Sequence, residues 1–354
     1  MTTMQHHIIT DKTTVKEALN RFNELAPESF QQTTLFVVNL KKQLIGTLTE
    51  GDVRRSLLKG TALSESIEKC MNKNFKFLND ETFSALAINT FKEKKIRFIP
   101  FLDKHKSIIK IYDLDTIKTI LPIEAVIMCG GKGERLRPLT SDTPKPLLQV
   151  GGKPIMEHSV DRMMQFGIQK FHFSVNYLKE KIIHHFGDGN DKGIEIKYIQ
   201  EKNPLGTIGS VAMIKKISTE YLLVQNGDLI TNIDYENFYL NAVQSKAAIS
   251  VATVPYSIDV PFAILNLDKK NRVKALHEKP RYTYEANAGI YLIHQSMLQF
   301  IPKNKPYNAT DLIQTAIDKN LAVTTFPILG YWTDVGRMED FVKVQSDIQN
   351  IYRN

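Results

Sequence analysis

The sequence predicts an α/β protein in which a mostly parallel sheet, wrapped by helices on both faces, follows a smaller α+β module. Strand and helix patterns alternate over residues 122–354, and this alternation is typical of a mostly parallel sheet. Two similar helix–strand–strand–helix units follow one another within residues 1–121, which indicates an internal duplication. Pro122 ends any helix that precedes it. We therefore predict two domains, 1–121 and 122–354.

Composition narrows the class of protein. The chain has 354 residues, 42% of them hydrophobic and 24% charged, as is usual for a soluble globular protein of two domains. No apolar run reaches the length of a membrane span, and the first ten residues lack a signal-peptide pattern. Only Cys70 and Cys129 are available for disulfides, and they are far apart in sequence. We therefore expect a cytoplasmic protein that does not associate with membranes.

The formal net charge of +8 raises the question of nucleic-acid binding. Lysines alternate with acidic residues instead of forming a basic stripe, and no nucleic-acid-binding motif is visible. The excess positive charge suits anionic small molecules better. We expect no nucleic-acid partner.

The two N-terminal units share an order of elements. The first has a helix beginning at Thr13–Thr14 and strands at 35–38 and 44–49, while the second has a helix at 82–94 and strands at 98–101 and 108–115. Gly46-Thr47-Leu48-Thr49-Glu50-Gly51-Asp52 and the tandem order resemble a CBS-domain pair. The resemblance implies that Thr49 and Asp52 contact the phosphate and ribose of an adenine nucleotide such as AMP or ATP.

The second unit departs from this pattern. It keeps Asp115, but Tyr112 replaces the hydroxyl residue and Ile109 replaces the glycine. One of two nucleotide sites is therefore expected to be lost. The alternative is a module that only mediates assembly, and paired units of this kind suggest a homo-oligomer.

Beyond residue 122 the pattern predicts a series of strands and helices. The predicted strands are 124–129, 170–175, 194–199, 221–226, 247–254, 288–293 and 322–326. The predicted helices are 156–166, 178–186, 207–215, 294–300 and 336–350.

A glycine-rich loop follows the first of these strands. Gly130, Gly131 and Gly133 leave backbone N–H groups free to approach a ligand, an arrangement that suits phosphate. The spacing excludes a P-loop, and Leu136 stands where a dinucleotide fingerprint needs its third glycine. The loop is therefore expected to bind phosphate in another way.

The continuation of the loop identifies a family. Arg135-Leu136-Arg137-Pro138-Leu139-Thr140 and then Pro144-Lys145-Pro146-Leu147 resemble the signature of sugar-1-phosphate nucleotidyltransferases. The resemblance implies a Rossmann-like, GT-A-like catalytic domain that uses a nucleoside triphosphate and Mg²⁺. It also implies that Arg135 and Lys145 stabilise charge on the triphosphate. Glu134 departs from the family, which commonly has Thr there.

Two aspartates are candidate magnesium ligands. Asp228 follows an apolar strand pattern in Asn226-Gly227-Asp228, and Asp334 lies in Trp332-Thr333-Asp334-Val335-Gly336. Both segments resemble metal-ligand motifs of the family, and magnesium prefers a few carboxylates together with phosphate oxygens and water. Alternatively, an aspartate after a strand forms a turn or caps a helix.

The sugar pocket is assigned from the same resemblance. His277-Glu278-Lys279-Pro280 matches the segment whose Glu contacts sugar hydroxyls and whose Lys contacts the sugar phosphate. Asn287 and Gly289 match residues that line the sugar pocket. Outside this context, Glu278-Lys279 is an ordinary solvated pair.

The base pocket is expected at residues 200–207, where Glu201 precedes Gly206 by five positions. Guanine offers two adjacent donors, N1–H and N2–H₂, which one carboxylate accepts together. GTP is therefore favoured over UTP or dTTP. In the alternative, Glu201 points to solvent and Gln200 reads the base.

Two functions remain open from the sequence. The first is Mg²⁺-dependent transfer of GMP from GTP to a hexosamine or hexose 1-phosphate, which yields a nucleotide sugar for surface glycans and pyrophosphate; a UTP- or dTTP-using enzyme is its variant. The second is an adenine-nucleotide sensor with a silent transferase fold. Intact Lys145, Asp228, Lys279 and Asp334 favour the enzyme.

Overall fold

A computed structural model describes residues 5–25, 33–79, 82 and 85–351. The chain separates into two compact units, each described here by itself. The first comprises Met1–Leu121, Gln165–Gly167 and Asn190–Gly193, and the second comprises Pro122–Met164, Ile168–Gly189 and Ile194–Asn354.

The first unit is built from two hairpin repeats. Its helices are α1 (Val15–Leu25), α2 (Glu50–Leu58) and α3 (Ala85–Glu93), and its strands are β1 (Ile8–Thr10), β2 (Thr34–Val38), β3 (Leu44–Thr49), β4 (Phe98–Leu102) and β5 (Ile108–Asp113). In the first repeat β1 pairs parallel with β2, which pairs antiparallel with β3. In the second, Leu78 pairs parallel with Phe101 of β4, and β4 pairs antiparallel with β5. The expected repeat thus extends to strand pairing.

The repeats share a core but end differently. Phe36 and Leu44 of the first hairpin pack with Leu102 and Ile111 of the second in one buried cluster. After β5 the described chain turns at residues 114–116, where the first repeat has α2. The predicted helix at 82–94 corresponds to α3, although part of its first turn lies outside the described residues.

The second unit contains the large sheet. Its strands are β6 (Glu124–Met128), β7 (Gln149–Val150), β8 (Lys153–Pro154), β9 (Lys170–Val175), β10 (Glu195–Gln200), β11 (Tyr221–Asn226), β12 (Leu229–Thr231), β13 (Ile249–Asp259), β14 (Ile264–Leu267), β15 (Val273–His277), β16 (Arg281–His294), β17 (Val323–Pro327) and β18 (Trp332–Asp334). Its α-helices are α4 (Ile155–Gln165), α5 (Lys179–Phe186), α6 (Tyr235–Gln244), α7 (Ala309–Asp318) and α8 (Met338–Ile351).

Seven strands form the central sheet in the order β10-β9-β6-β11-β16-β13-β17. Only β16 runs antiparallel to its neighbours β11 and β13, while the other adjacent pairs are parallel. The predicted mostly parallel α/β sheet is therefore confirmed. Because β9, β6 and β11 are adjacent and parallel, the loops at their carboxyl ends meet at one edge.

Several predicted elements were wrong in type or extent. The segments predicted as helices at 207–215 and 294–300 are 3₁₀ turns, Gly209–Met213 and Gln295–Phe300. A Cβ at Gly209 would lie 2.8 Å from the carbonyl oxygen of Lys305, so close backbone packing governs that segment instead of helix propensity. Strands β13 and β16 extend well beyond 247–254 and 288–293 because they pair with each other as far as Asp259 and Arg281.

Helices α6 and α7 and the β14–β15 hairpin were missed. Both helices carry capping signals that were readable in the sequence. Asp234 accepts hydrogen bonds from the N–H groups of Glu236 and Asn237, and Asn308 forms a capping box with Asp311. Among the described residues, none of the helices combines the length and apolar character needed to cross a bilayer.

Candidate active site

The glycine loop leaves β6 at the edge where the parallel strands end. The N–H of Gly227, which follows β11, donates to the carbonyl of Met128 at 2.8 Å, so the ends of β6 and β11 are joined. The loops enclose a cleft of about 620 Å³. Its lining comprises Met128, Cys129, Gly130, Gly131, Lys132, Gly133, Glu134, Arg135, Lys145, Pro146, Glu201, Pro204, Leu205, Gly206, Thr207, Asn226, Gly227 and Asp228.

Two glycines of the loop have different requirements. Gly133 has a φ of +64°, and a Cβ there would lie 3.0 Å from Cγ2 of Thr140, whose hydroxyl donates to the Gly133 carbonyl at 2.8 Å. Gly131 has open space around it, with no heavy atom within 4 Å of an added Cβ. The backbone at Gly131 is thus open to a ligand, while Gly133 fixes the turn into Arg135.

The two aspartates are brought together by a short ladder. Strands β12 and β18 pair antiparallel with Leu229 opposite Asp334, and the N–H of Val335 donates to the carbonyl of Asp228 at 3.1 Å. The ammonium of Lys145 contacts Oδ2 of Asp228 and lies 3.4 Å from Oδ1 of Asp334. The sequence-predicted metal ligands and lysine therefore form one cluster.

The electrostatics of this cluster suit a cation. Oδ1 of Asp228 is buried without a hydrogen-bond partner. Burial, and next the nearby Asp228 carboxylate, raise the pKa of Asp334, while Lys145 and Arg135 oppose the rise. Among the described residues no group of three or more His, Cys, Asp or Glu could hold a metal, so phosphate oxygens or water must complete the shell of a divalent ion. Magnesium prefers oxygen ligands, and Oδ1 of Asp228 is a buried carboxylate oxygen without a partner. The residues present therefore fit a magnesium ion.

Glu201 lines the same cleft and is fixed by two hydrogen bonds. Its Oε1 accepts a 2.6 Å hydrogen bond from Oγ of Ser174, and its Oε2 accepts a 2.9 Å bond from the N–H of Leu205. A Cβ at Gly130 would lie 3.5 Å from Oε1 of Glu201. The carboxylate is therefore held beside the glycine loop instead of pointing to solvent.

The nucleotidyl transferase family profile matches residues 124–351. The chain belongs to this family. The CBS domain profile matches residues 1–59, so the N-terminal end carries a CBS domain and the match covers the first repeat.

Relatives and folds support this membership. Mannose-1-phosphate guanylyltransferase of Mycobacterium tuberculosis is 30% identical over 231 residues, which are 64% of this chain and 64% of that protein. The bifunctional protein GlmU of Methanocaldococcus jannaschii is 34% identical over 228 residues, 62% of this chain and 53% of that protein. The chain thus spans less than two thirds of the length of these relatives. A crystal structure from Bacillus anthracis, assigned as a glucose-1-phosphate thymidylyltransferase in complex with sucrose, shares the fold with a TM-score of 0.54 at 23% identity, over 66% of this chain and 97% of that one.

The sugar-pocket residues predicted for this nucleotidyl transferase fall into two groups. Gly289 has a φ of +72°, and a Cβ there would lie 2.6 Å from Nδ2 of Asn226, which lines the cleft. Asn287 is exposed, and its Oδ1 accepts from the N–H of Gly289 at 2.9 Å. Glu278 and Lys279 are exposed in the turn between β15 and β16 and are not among the residues lining the cleft.

Two cleft residues, Lys132 and Asn226, and one neighbour of the glycine loop, Asn176, were not singled out from the sequence. Lys132 lies exposed between Gly131 and Gly133, and Asn226 sits at the end of β11 beside Gly289. Asn176 follows β9 and would be 3.1 Å from a Cβ on Gly130. The available signal was position, since Asn176 directly follows the parallel strand β9 and Asn226 is the last residue of the parallel strand β11.

Cys129 does not have the properties of a nucleophile. It is 2% exposed, and its Sγ lies 2.9 Å from the carbonyl oxygen of Ser174. Burial, and next the charge of Glu201, strongly raise the pKa of the Cys129 thiol. Cys129 is a buried packing residue.

The residues predicted to bind a nucleotide in the CBS domain form hydrogen bonds or ion pairs within the protein. Thr49 and Asp52 form the capping box of α2, and Asp52 also pairs with Arg55 at 2.5 Å. Asp115 is exposed and lies 3.2 Å from Nε of Arg97. Thr49 lines a cavity of about 940 Å³.

Proposed function

We propose that the chain transfers a nucleotidyl group, GMP from GTP in preference, to a sugar 1-phosphate and releases pyrophosphate. The observation that carries the proposal is the presence of an open glycine loop, Lys145 and Asp228 in one cleft of about 620 Å³, with Asp334 next to the same lysine. In-line attack on the α-phosphorus needs positioning and charge stabilisation more than covalent help from the protein. These residue types supply both.

The chain's own cations have separate tasks. Backbone N–H groups at Gly130–Gly133 are suited to hold phosphate oxygens, and Arg135 at the end of the loop adds a planar fork of donors. Lys145 supplies a point charge on a flexible stem. Together they would orient the triphosphate so that the leaving pyrophosphate is stabilised.

The charge of the cleft argues for a divalent cation. Three basic side chains (Lys132, Arg135 and Lys145) and three acidic ones (Glu134, Glu201 and Asp228) line it, so its net formal charge is zero before Asp334 is counted. A triphosphate brings several negative charges into this neutral space. Mg²⁺ held by Asp228 and Asp334 would neutralise charge on the phosphates when bound.

Glu201 supports guanine as the base. With Oε1 and Oε2 already oriented by Ser174 and Leu205, the carboxylate keeps further lone pairs to accept N1–H and N2–H₂ of guanine. The carbonyl oxygens of uracil or thymine would face these oxygens repulsively. The similarity to a mannose-1-phosphate guanylyltransferase is consistent with this preference.

The acceptor is a sugar 1-phosphate, of hexose or hexosamine type. Gly289 packs against Asn226, which lines the cleft, and Asn287 accepts a hydrogen bond from the N–H of Gly289; both would contact the sugar. Glu278 and Lys279 are assigned to the sugar hydroxyls and the sugar phosphate by the family motif alone. Because they do not line the cleft, the segment between β15 and β16 must approach it for them to serve this role.

A substrate panel tests the proposed reaction. The purified chain is incubated with Mg²⁺, each of GTP, UTP, dTTP and CTP, and a set of hexose and hexosamine 1-phosphates, and pyrophosphate is measured. We expect release with GTP and at least one sugar phosphate. No release with any combination contradicts the enzymatic function, and release only with UTP or dTTP contradicts the assignment of Glu201.

The CBS domain is proposed to bind AMP or ATP and to tune the transferase, in an assembly of several copies. The support is the cavity that Thr49 shares with Arg54 and Arg55, whose charges suit a phosphate. We expect AMP or ATP to raise the melting temperature of the wild type and not of Arg54→Met, which leaves the Thr49–Asp52 capping box intact. No shift in the wild type argues against nucleotide binding, and light scattering measures the oligomeric state.

A further inference from the structure

The ammonium of Lys145 occupies the position between the two candidate metal ligands. It contacts Oδ2 of Asp228 and lies 3.4 Å from Oδ1 of Asp334, and its side chain is only 10% exposed. A charge this deeply buried requires a partner, and a pair of carboxylates requires a counter-ion. In this arrangement Lys145 and the aspartates satisfy each other.

A divalent cation needs the same two carboxylates. With a bound ion of charge +2 between Asp228 and Asp334, an ammonium a few ångströms away would be repelled by both its charge and its size. Oδ1 of Asp228, buried without a partner, offers the incoming ion a first ligand that Lys145 does not use. The ion and the lysine therefore cannot hold the aspartates in the same way at the same time.

The backbone around Lys145 is restricted, whereas its side chain borders the open cleft. Lys145 begins a 3₁₀ turn, Lys145–Leu147, between Pro144 and Pro146, whose rings restrict the chain. A Cβ added to Gly133 would lie 3.1 Å from Cβ of Lys145, so the lysine stem starts directly beside the glycine loop. The four-carbon stem has several rotatable bonds, so a change of rotamer without backbone movement would carry the ammonium from the aspartates toward the loop.

We propose that Lys145 is a displaceable counter-ion: it holds Asp228 and Asp334 together in the metal-free chain, and a divalent cation releases it toward the phosphate-binding loop. This inference rests on the proposed function for the identity of the metal site. It couples the two binding events, because metal binding places a freed positive charge where a triphosphate binds.

The first test uses the wild-type chain without nucleotide. Lysines are acetylated with an amine-specific reagent, with and without Mg²⁺, and modification is quantified at each residue by mass spectrometry. We expect Mg²⁺ to increase labelling of Lys145 several-fold, while exposed Lys132 on the same cleft is labelled equally in both conditions. Unchanged labelling of Lys145 at saturating Mg²⁺ overturns the proposal.

The second test measures the competition directly by calorimetric titration with Mg²⁺. Lys145→Met keeps an unbranched side chain one heavy atom shorter and removes its charge. Lys132→Met is the matched control that removes a charge from the cleft without touching the aspartates. Removal of the competing cation should tighten Mg²⁺ binding by about tenfold or more in Lys145→Met, and less in Lys132→Met. Equal tightening in both variants, or weaker binding in Lys145→Met, overturns the proposal.

Two outcomes separate this inference from the proposed reaction. A melting curve shows whether Lys145→Met folds. If it does not fold, the labelling of the wild type alone decides whether Lys145 is a displaceable counter-ion. If Mg²⁺ does not bind in the absence of nucleotide, the counter-ion proposal is wrong, while pyrophosphate release still decides whether the chain is a nucleotidyltransferase.

Discussion

The carbonyl of Asp228 accepts a 3.1 Å hydrogen bond from the N–H of Val335, next to Asp334. This bond continues the three residue pairs of β12 and β18, which set Leu229 opposite Asp334. Two carboxylates more than a hundred positions apart in sequence thus face one cleft because of a backbone ladder. The two carboxylates do not attract each other, because like charges repel. Lys145 offsets this repulsion.

The first prediction concerns this aspartate pair. Asp228→Asn or Asp334→Asn should lower the rate of pyrophosphate release by orders of magnitude, because each removes a charge that a divalent ion requires. Turnover is measured with GTP and the best acceptor, and circular dichroism checks folding. Asp234→Asn, at the cap of α6, is the matched control and should retain activity. Near-normal turnover of Asp228→Asn removes Asp228 from the metal site.

The second prediction concerns base selection by Glu201. Glu201→Gln keeps the size of the side chain but replaces one acceptor oxygen with a donor nitrogen. One of the two hydrogen bonds that the side chain accepts from guanine is therefore lost. We expect kcat/KM for GTP to fall by about tenfold to a hundredfold relative to UTP. Competition assays with both nucleotides measure the ratio. An unchanged ratio means that another residue, such as Gln200, reads the base.

The third prediction concerns the close approach of Gly289 to Asn226. Gly289→Ala combines a positive φ with a Cβ only 2.6 Å from Nδ2 of Asn226, so we expect a loss of stability of about 2 kcal/mol or more together with weaker acceptor binding. Gly152→Ala is the control, since its φ is +81° but nothing lies within 4 Å, and it should cost about 1 kcal/mol. Urea unfolding measures both. Equal losses would show that the contact with Asn226 is unimportant.

The fourth prediction is a pH dependence of stability that depends on Glu124. Burial raises the pKa of Glu124, but hydrogen bonds from Ser218 and His172 together outweigh it, so the net shift is downward. A lowered carboxyl pKa in the folded chain stabilises above the unfolded pKa of about 4.3, and this stabilisation is lost as the pH falls through the folded value.

Melting temperatures between about pH 6 and pH 3 test this dependence. The wild type should lose stability steeply on acidification, whereas Ser218→Ala, which removes the hydroxyl donor, should show a shallower slope. Glu285→Gln, at an exposed position, should behave as the wild type does. Identical slopes for the wild type and Ser218→Ala contradict the role of this network.

Local patterns in the sequence were enough to predict the family and several of the strands that carry the candidate site. Apolar runs that lead into glycine or aspartate predicted β6 and β11 and their functional loops, because buried parallel strands are continuous in hydrophobicity. The segment from Gly130 to Lys145 predicted the family, which the match over residues 124–351 confirms. The roles of the individual site residues stay predictions.

Only the tertiary structure decided which of these residues meet. Pairing of β12 with β18 joins Asp228 to Asp334, and packing brings Lys145 between them. Hydrogen bonds from Ser174 and Leu205 aim Glu201 at the cleft, whereas Glu278 and Lys279 lie exposed between β15 and β16 and do not line it. The physical reason is that hydrophobic periodicity is local, while strand pairing and the satisfaction of buried charges depend on residues far apart in the chain.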